Sequence, residues 1–194
     1  MTRLEDVLDM GLAALLPVYD GGNVTRLITS GGEQIIDPRT PRTVIRNLAR
    51  IFGVDLAAIR EQYGKPLNKR NIIPLPFAAD FVLIPVKVRQ QPLGQNDGTL
   101  GYVVFREIVR VEKVDNKSSS IILKSGVAIP TVVSEATVKE YIKNARLVEN
   151  LYMSRHFPKA KAVHENEGIY GEEIVLKGLR EYLIKLLIKV LELQ

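Results

Sequence analysis

Short apolar runs separated by glycine-rich turns are the feature of this sequence that most restricts its fold. Leu12 to Tyr19 and Val24 to Thr29 are apolar runs that flank the turn segment Asp20 to Asn23, and Ser30 to Gly32 then leads to a short run at Gln34 to Ile36. Apolar runs of this length around residues that tolerate a positive φ angle are typical of β-hairpins. The N-terminal part of the chain therefore predicts an antiparallel β-meander.

A pair of helices is predicted to follow the meander. Thr40 suits the N-cap of the first helix, Pro41 suits its first position, and Gly53 suits the position after its C-cap. A second helix is expected from Asp55 to Tyr63, closed by Gly64. The apolar face of the first helix is expected to contain residues that recur at helical spacing, namely Val44, Ile45, Leu48, Ile51 and Phe52.

The rest of the chain is expected to pass from strands to helices. Residues 66–76 predict an irregular connection, and residues 81–88 predict a strand in which Pro85 favours an edge position or a bulge. Ser134 suits the N-cap of a long helix that runs to about Arg155. Further β-rich segments are expected at residues 102–114, 120–123 and 127–133.

The predicted fold class is α+β, with an antiparallel β-meander or small barrel-like sheet and a basic helix pair, followed by C-terminal helices. Residues 1–155 are expected to form the mixed α+β domain, residues 156–170 a polar connector, and residues 171–194 a C-terminal helix.

Positive charge is concentrated in the predicted helix pair. The whole chain has a net charge of +5, whereas the segment from Arg39 to Arg70 has eight basic and only two acidic residues and carries +6. Arg42, Arg46 and Arg50 cover one sector of the first helix, roughly opposite its apolar face. Like charges at this spacing repel each other by about 0.2–0.5 kcal/mol per pair. An external anion is one reason for a helix to keep them aligned.

Two explanations of this charge pattern remain open. The arginines fit contacts with DNA phosphates and the release of counterions, and they also fit the solvated face of an ordinary amphipathic helix. Lys87 and Arg89 either extend the same surface or belong to a charged edge strand that discourages aggregation. The candidate DNA-binding residues are Arg39, Arg42, Arg46, Arg50, Arg60, Lys65, Lys69, Arg70, Lys87 and Arg89.

No catalytic, metal or cofactor site emerges from the sequence. The chain has no cysteine and two histidines, His156 and His164, both of which fall in the predicted connector, where a catalytic triad is not expected. His164, Glu165 and Glu167 are neighbours on a loop and make a poor template for a metal site. There is no phosphate-binding loop and no dinucleotide fingerprint. The sequence predicts a protein that is not an enzyme and that needs no cofactor.

The predicted C-terminal helix is apolar around most of its circumference. Its polar strip, formed by Lys177, Glu181 and Lys185, is narrow, and such a helix is usually buried on more than one side. Self-association, packing within the same chain and binding to a membrane surface are the open explanations. Self-association would use Leu179, Leu183, Leu186, Leu187 and Val190.

The sequence also bears on where the protein resides. The first nine residues contain three acids where a signal peptide needs a basic stretch, and no apolar stretch reaches the length of a membrane span. We therefore expect a cytoplasmic protein with no membrane partner.

A series of short motifs occurs in a distinctive order between about Leu15 and Arg155. The motifs are Leu15-Leu16-Pro17, Phe52-Gly53, Arg60 and Gly64, Ile72-Ile73-Pro74, Phe81 to Pro85, Gly101-Tyr102-Val103, Glu107-Ile108, Ile121 to Gly126 and Val132-Val133-Ser134. In this order the motifs resemble the ComK family, the competence transcription factors of Firmicutes. Where family members usually carry Cys-Trp or a similar pair, and a Thr after the strand proline, this chain has Gly101-Tyr102 and Val86.

The resemblance implies a multimeric transcriptional activator that binds paired A/T-rich boxes, largely through the minor groove, where arginine and lysine side chains suit the strongly negative potential. Residues 1–155 would then be the DNA-binding domain of a nucleoid-associated regulator. Its expected partners are double-stranded DNA, further copies of itself and, in addition, the transcription machinery. The alternatives are a non-enzymatic interaction or self-assembly module that uses the C-terminal helix and, as a weaker rival, a phage- or envelope-associated structural protein.

Overall fold

The computed structural model describes residues 3–92 and 98–157 and has the α+β fold that the sequence predicts. Its helices are α1 (Leu4–Asp9), α2 (Pro41–Ile51), α3 (Leu56–Leu67) and α4 (Glu135–His156). Its strands are β1 (Leu12–Tyr19), β2 (Asn23–Thr29), β3 (Gln34–Asp37), β4 (Leu75–Ala78), β5 (Phe81–Lys87), β6 (Leu100–Val104), β7 (Ile108–Lys113), β8 (Ser119–Leu123) and β9 (Ala128–Thr131). A 3-10 turn, Phe105–Glu107, joins β6 to β7.

The first six strands form one antiparallel sheet in the order β3-β2-β1-β6-β5-β4. The predicted meander of β1, β2 and β3 is confirmed. Tyr19 lies opposite Asn23 where the first hairpin closes, and Gly21 has a φ angle of +63° inside its turn. Glycine adopts this angle at little cost because it has no Cβ. The meander places β1 in the middle of the sheet, between β2 and β6.

The last three strands form a second antiparallel sheet, β7-β8-β9, and α4 packs against both sheets. The Ser134 hydroxyl oxygen caps α4 by accepting a hydrogen bond from the backbone N–H of Thr137 at 3.3 Å, as the sequence predicts. The buried face of α4 joins one apolar core with residues of both sheets, and its members are Val138, Tyr141, Ala145 and Val148.

Helix α2 packs on β1 and β2 through the face that the sequence predicts, except at its end. Val44, Ile45 and Leu48 are buried, but Ile51 is 41% exposed. Ile51 is the last helical residue, and the chain leaves the helix immediately after it. Phe52 packs against the core in its place and stacks on Phe81, with ring centroids 5.3 Å apart.

Helix α3 is longer than predicted, because Gly64 does not end it. The helix continues through Pro66 to Leu67 and ends at Asn68, which has left-handed backbone angles. The N–H groups of Asn68 and Lys69 donate hydrogen bonds to the carbonyls of Lys65 and Gly64, and these bonds satisfy the end of the helix. A glycine is present at position 64 because the connection after α3 packs closely against it, and not because the chain turns there.

The irregular connection predicted at residues 66–76 is correspondingly shorter. Its first two residues belong to α3, and β4 begins at Leu75. Pro85 lies in β5, which is an interior strand in the strand order but has a local edge at this residue. The ladder between β4 and β5 reaches only as far as Leu75 opposite Leu83, so Pro85 pairs with Tyr102 of β6 beyond the end of β4. Its missing N–H therefore breaks no ladder bond.

Several sequence expectations lie outside the described residues. These are the connector beyond Phe157, the C-terminal helix at 171–194 with its self-association residues, and the His164 group. Within residues 3–92 and 98–157, no helix is long and apolar enough to cross a membrane. In the same part of the chain, no three His, Cys, Asp or Glu side chains are grouped in a way that could hold a metal ion.

Candidate nucleic-acid interface

Helix α2 is held in place at both ends and along its apolar face. The Thr40 hydroxyl oxygen accepts the backbone N–H of Thr43 at 3.4 Å, and the N–H of Val54 reaches the carbonyl of Ala49 at 2.9 Å across Gly53, whose φ angle is +63°. These bonds complete an N-cap and a C-terminal Schellman-type cap. With one face against the sheet, the helix presents the opposite face to solvent in a fixed orientation.

Arg42, Arg46 and Arg50 occupy that exposed face. Within the part of the chain that the structure describes, none of the three guanidiniums lies within 4.0 Å of a carboxylate. The first turn of α2 contains no acidic residue. At a rise of 1.5 Å per residue, the three arginines span about 12 Å along the helix. Among residues 3–92 and 98–157, they form a row of cations that no carboxylate pairs with.

The basic residues of α3 are only partly available. Asp55 caps the helix by accepting hydrogen bonds from the N–H groups of Ala57 and Ala58. Arg60 is exposed and has no ion pair among the described residues, whereas Lys65 bonds to Glu61 at 2.8 Å. This hydrogen bond and the charge of Lys65 lower the pKa of Glu61. Both side chains of the pair are exposed, so the pair contributes little to stability.

Lys69 connects the end of α3 to α4. Its ammonium donates a hydrogen bond to the Glu140 carboxylate at 2.6 Å and lies 5.8 Å from the centre of the Tyr141 ring. The bond and the positive charge lower the pKa of Glu140. Lys69 is therefore neutralised within the protein, while the neighbouring Arg70 is exposed and has no ion pair in the described ranges.

Arg60 and Arg70 line two adjoining clefts. The larger cleft has a volume of about 710 Å³, with Lys65, Asn68 and Lys69 in its wall. The smaller has a volume of about 420 Å³, and it combines the two arginines with an apolar floor. The helix pair thus carries two basic features, the arginine row on α2 and the Arg60–Arg70 pair beside α3.

Arg39 was a candidate DNA-binding residue on charge alone, and the structure places its charge in an ion pair within the protein. Its guanidinium donates two hydrogen bonds to the carboxylate of Asp37, which is 5% exposed, and its backbone N–H donates a third at 2.9 Å. The Arg39 carbonyl accepts a bond from the Thr25 hydroxyl at 2.7 Å. The carboxylate raises the pKa of Arg39 and neutralises its charge. Arg39 is a structural residue at the entry to α2.

Lys87 and Arg89 lie at and just beyond the end of β5 and make bonds within the protein. The Lys87 carbonyl accepts the N–H of Val132, which follows β9, and the Arg89 guanidinium donates to the carbonyl of Pro17 in β1 at 2.8 Å. Both residues are half-buried. These bonds hold the end of β5 against its neighbours, and they give Arg89 a structural role.

Sequence reasoning missed Asn71, Ile72 and Tyr102, which line the smaller cleft with the two arginines. Ile72 has a φ angle of +54°, which is a genuine outlier for a β-branched residue. Burial raises the pKa of the Tyr102 hydroxyl, and the nearby charge of Arg60 partly offsets this rise. No local sequence pattern predicts an isoleucine with a left-handed backbone. In the sequence, Tyr102 is indistinguishable from an ordinary core residue of a strand.

Comparison with models of protein families, with curated proteins and with solved structures found no match for this chain.

Proposed function

We propose that this protein is a non-enzymatic DNA-binding regulator of transcription that contacts the phosphate backbone through the arginine row of α2. The observation that carries the proposal is the unneutralised state of Arg42, Arg46 and Arg50 on one exposed face of a helix that is fixed at both ends. Ordinary solvated helix faces interleave both charge signs, and this face lacks the opposite sign in its first turn.

The spacing of the row suits a nucleic acid. A strand of duplex DNA carries one phosphate for each 3.4 Å of axis, so a row of about 12 Å spans roughly three or four phosphates. Each phosphate contact releases condensed counterions, which supplies affinity without reading sequence. A helix is about 10–12 Å wide and does not enter a minor groove of about 6 Å, but arginine side chains do. We infer that α2 lies over the backbone with its arginines directed toward the groove.

The proposed preference for A/T-rich sites rests on the resemblance to the ComK family. A/T-rich tracts narrow the minor groove and strengthen its negative potential, which favours inserted arginines. The same resemblance supports a multimer that acts on promoters, with the transcription machinery as a further partner in the nucleoid. In that arrangement the helix that the sequence predicts at residues 171–194 would supply the contact between copies.

A binding titration tests the proposal. The full chain is titrated with an A/T-rich and a G/C-rich duplex of equal length at several salt concentrations. Tighter binding to the A/T-rich duplex and a steep fall in affinity with rising salt are expected. Weak and equal association with both duplexes, with little dependence on salt, would instead favour a protein-interaction module.

Charge-matched variants separate the arginine row from general basicity. Changing Arg42, Arg46 and Arg50 together to Ala is expected to weaken binding to every duplex and to reduce the salt slope by roughly 0.9 for each lost contact. The control changes Lys113, Lys117 and Lys143 to Ala, which removes the same charge from exposed positions on β7, the following turn and α4. Equal losses in the two triple variants would mean that the row has no special role.

A further inference from the structure

The smaller cleft beside α3 has the composition of a ligand site. Its volume of about 420 Å³ lies within the range of about 300–1,000 Å³ that is typical of small-molecule pockets. Most of the lining is apolar and a few groups are polar, which is also typical of such sites. The residues that line it are Arg60, Arg70, Asn71, Ile72, Ile73, Leu75, Pro85, Leu100 and Tyr102.

The polar side of the cleft is suited to an anion. Arg60 approaches from α3 and Arg70 from the connection that follows it, and neither has a carboxylate partner among the described residues. A guanidinium presents a rigid fork of donors that matches phosphate and carboxylate oxygens. Two such groups suit a doubly charged oxyanion better than a singly charged one. The Asn71 amide adds a neutral donor to the same wall.

The backbone segments that carry the two arginines are closely packed against each other. A Cβ on Gly64 would lie 2.7 Å from the carbonyl oxygen of Lys69, which shows how closely the connection lies against α3. Lys69 is in turn bonded to Glu140 of α4. Ile72 keeps a left-handed conformation that costs on the order of 1–3 kcal/mol, and strain of this kind tends to occur at functional sites.

The apolar part of the lining suits a flat apolar group. The side chains of Ile73, Leu75 and Pro85 belong to the buried core, and the ring of Tyr102 is half-buried beside them. A tyrosine ring next to aliphatic side chains provides a surface on which an aromatic ring can stack. The charged and the apolar halves meet within one cavity.

We propose that this cleft binds a phosphate monoester carried on a flat aromatic body, with the phosphate between Arg60 and Arg70 and the ring against Tyr102 and the apolar floor. A phosphate monoester carries a charge of about −1.5 to −2 at pH 7, which matches two guanidiniums. The proposal reassigns Arg60 and Arg70 from duplex contact to this ligand. It stands apart from the arginine row of α2.

Phenyl phosphate is the probe for the test, with inorganic phosphate and phenol as its two halves. Calorimetric titration of the full chain is expected to give one saturable site for phenyl phosphate and binding at least roughly 10-fold weaker for each half, since a charge-assisted hydrogen bond contributes about 1.5–3 kcal/mol. Arg60→Ala and Arg70→Ala are each expected to weaken phenyl phosphate by a similar factor. Both side chains are exposed, and a thermal melt verifies that each variant folds.

Three outcomes would overturn the proposal. These are binding of phenyl phosphate weaker than about 1 mM, binding that survives both arginine variants, and binding that the Arg42, Arg46 and Arg50 triple variant abolishes instead. Inorganic phosphate that binds as tightly as phenyl phosphate would overturn the aromatic part. The α2 triple variant should keep its affinity for phenyl phosphate and lose its affinity for DNA. Failure of one proposal is therefore distinguishable from failure of the other.

A free nucleotide and the 5′ end of a DNA strand both display this chemistry. Adenosine monophosphate and a short duplex with or without a 5′ phosphate distinguish the two sources. Competition by the nucleotide alone supports a small-molecule ligand. Competition that depends on the 5′ phosphate of the duplex supports recognition of a strand end.

Discussion

The carboxylate of Asp37 accepts three hydrogen bonds from Arg39, two from the guanidinium and one from the backbone N–H. Asp37 is the last residue of β3, and Arg39 lies immediately before the N-cap of α2. The pair therefore fixes the path of the chain from the sheet into the basic helix. A residue that looks from the sequence like the first cation of a DNA-binding segment is in fact the anchor of that segment.

Replacing Arg39 with Ala is expected to destabilise the fold by about 1–3 kcal/mol and to leave DNA affinity nearly unchanged. Removing one partner leaves a buried carboxylate without its counter-charge, and the effect is moderated because 29% of the Arg39 side chain is exposed. The backbone hydrogen bond to Asp37 survives the change. Chemical denaturation measures the stability, and Arg39→Lys, which keeps the charge but loses the fork, should lie between wild type and Ala. A large loss of DNA affinity in a fully folded Arg39→Ala variant would show that Arg39 contacts DNA.

Arg42→Glu is expected to raise stability and lower DNA affinity at the same time. Arg42 is the second residue of α2, where the positive end of the helix dipole disfavours a cation. The change places an acid there and turns a repulsion with Arg46 into an attraction, which together contribute about 1 kcal/mol. This corresponds to a rise of roughly 2–4 °C in Tm for a chain of this size.

Thermal melts and duplex titrations on the same sample test whether stability rises while DNA affinity falls. Arg42→Ala is the control and should give intermediate values of both. An unfavourable charge at a helix end is expected where the charge serves a contact outside the fold. If Arg42→Glu instead lowers Tm, the arginine supports the structure, and the argument for the row weakens.

The sequence predicts most of the fold because its signals are local. Hairpin turns such as Asp20 to Asn23, the helix caps Thr40 and Ser134, and the period of the apolar residues on α2 act within a few residues of chain. The strand order is also predictable where strands that follow each other in the sequence pair with each other, as in the β1–β3 meander.

The errors arise where a distant contact overrides a local signal. Gly64 resembles a helix terminator, but its position is determined by the connection that packs against it from residues 69 to 73. Arg39 and Lys69 count as free charges in a composition argument, although Asp37 and Glu140 neutralise them. The smaller cleft joins Arg60 to Tyr102, which are 42 positions apart, and no local pattern reveals it.

The pKa of Glu140 is expected to lie below its ordinary value of 4.5 and to return toward that value in Lys69→Met. The hydrogen bond from Lys69 is the main cause, and the charges of Lys69 and Lys143 add to it. Since the folded-state pKa is lowered, the stabilisation is present above the unfolded-state pKa and is lost as the pH falls through the folded-state value. NMR titration of the side-chain carboxyl carbons measures both. Lys143→Met serves as the control, because its effect on the pKa of Glu140 should be the smaller one.

Gly64→Ala is expected to destabilise the protein by about 1–3 kcal/mol, although alanine is the better helix former by nearly 1 kcal/mol. The added Cβ would lie 2.7 Å from the backbone carbonyl oxygen of Lys69 and 2.8 Å from Cδ1 of Ile73. A side-chain terminus can move, but the Lys69 backbone N–H is bonded to the Gly64 carbonyl, and the Lys69 side chain is bonded to Glu140.

Combining Gly64→Ala with Ile73→Val separates the two contacts, since valine lacks Cδ1. We expect the double variant to recover little of the lost stability, because the carbonyl contact remains and valine itself costs about 0.5–1.5 kcal/mol in a core. The displaced connection carries Arg70 and Ile72, so phenyl phosphate binding should weaken while the α2 row keeps its affinity for DNA. A gain in stability like that of an ordinary exposed helical glycine would show that the connection is loosely held. The two arginines of the cleft would then not be fixed in advance of a ligand.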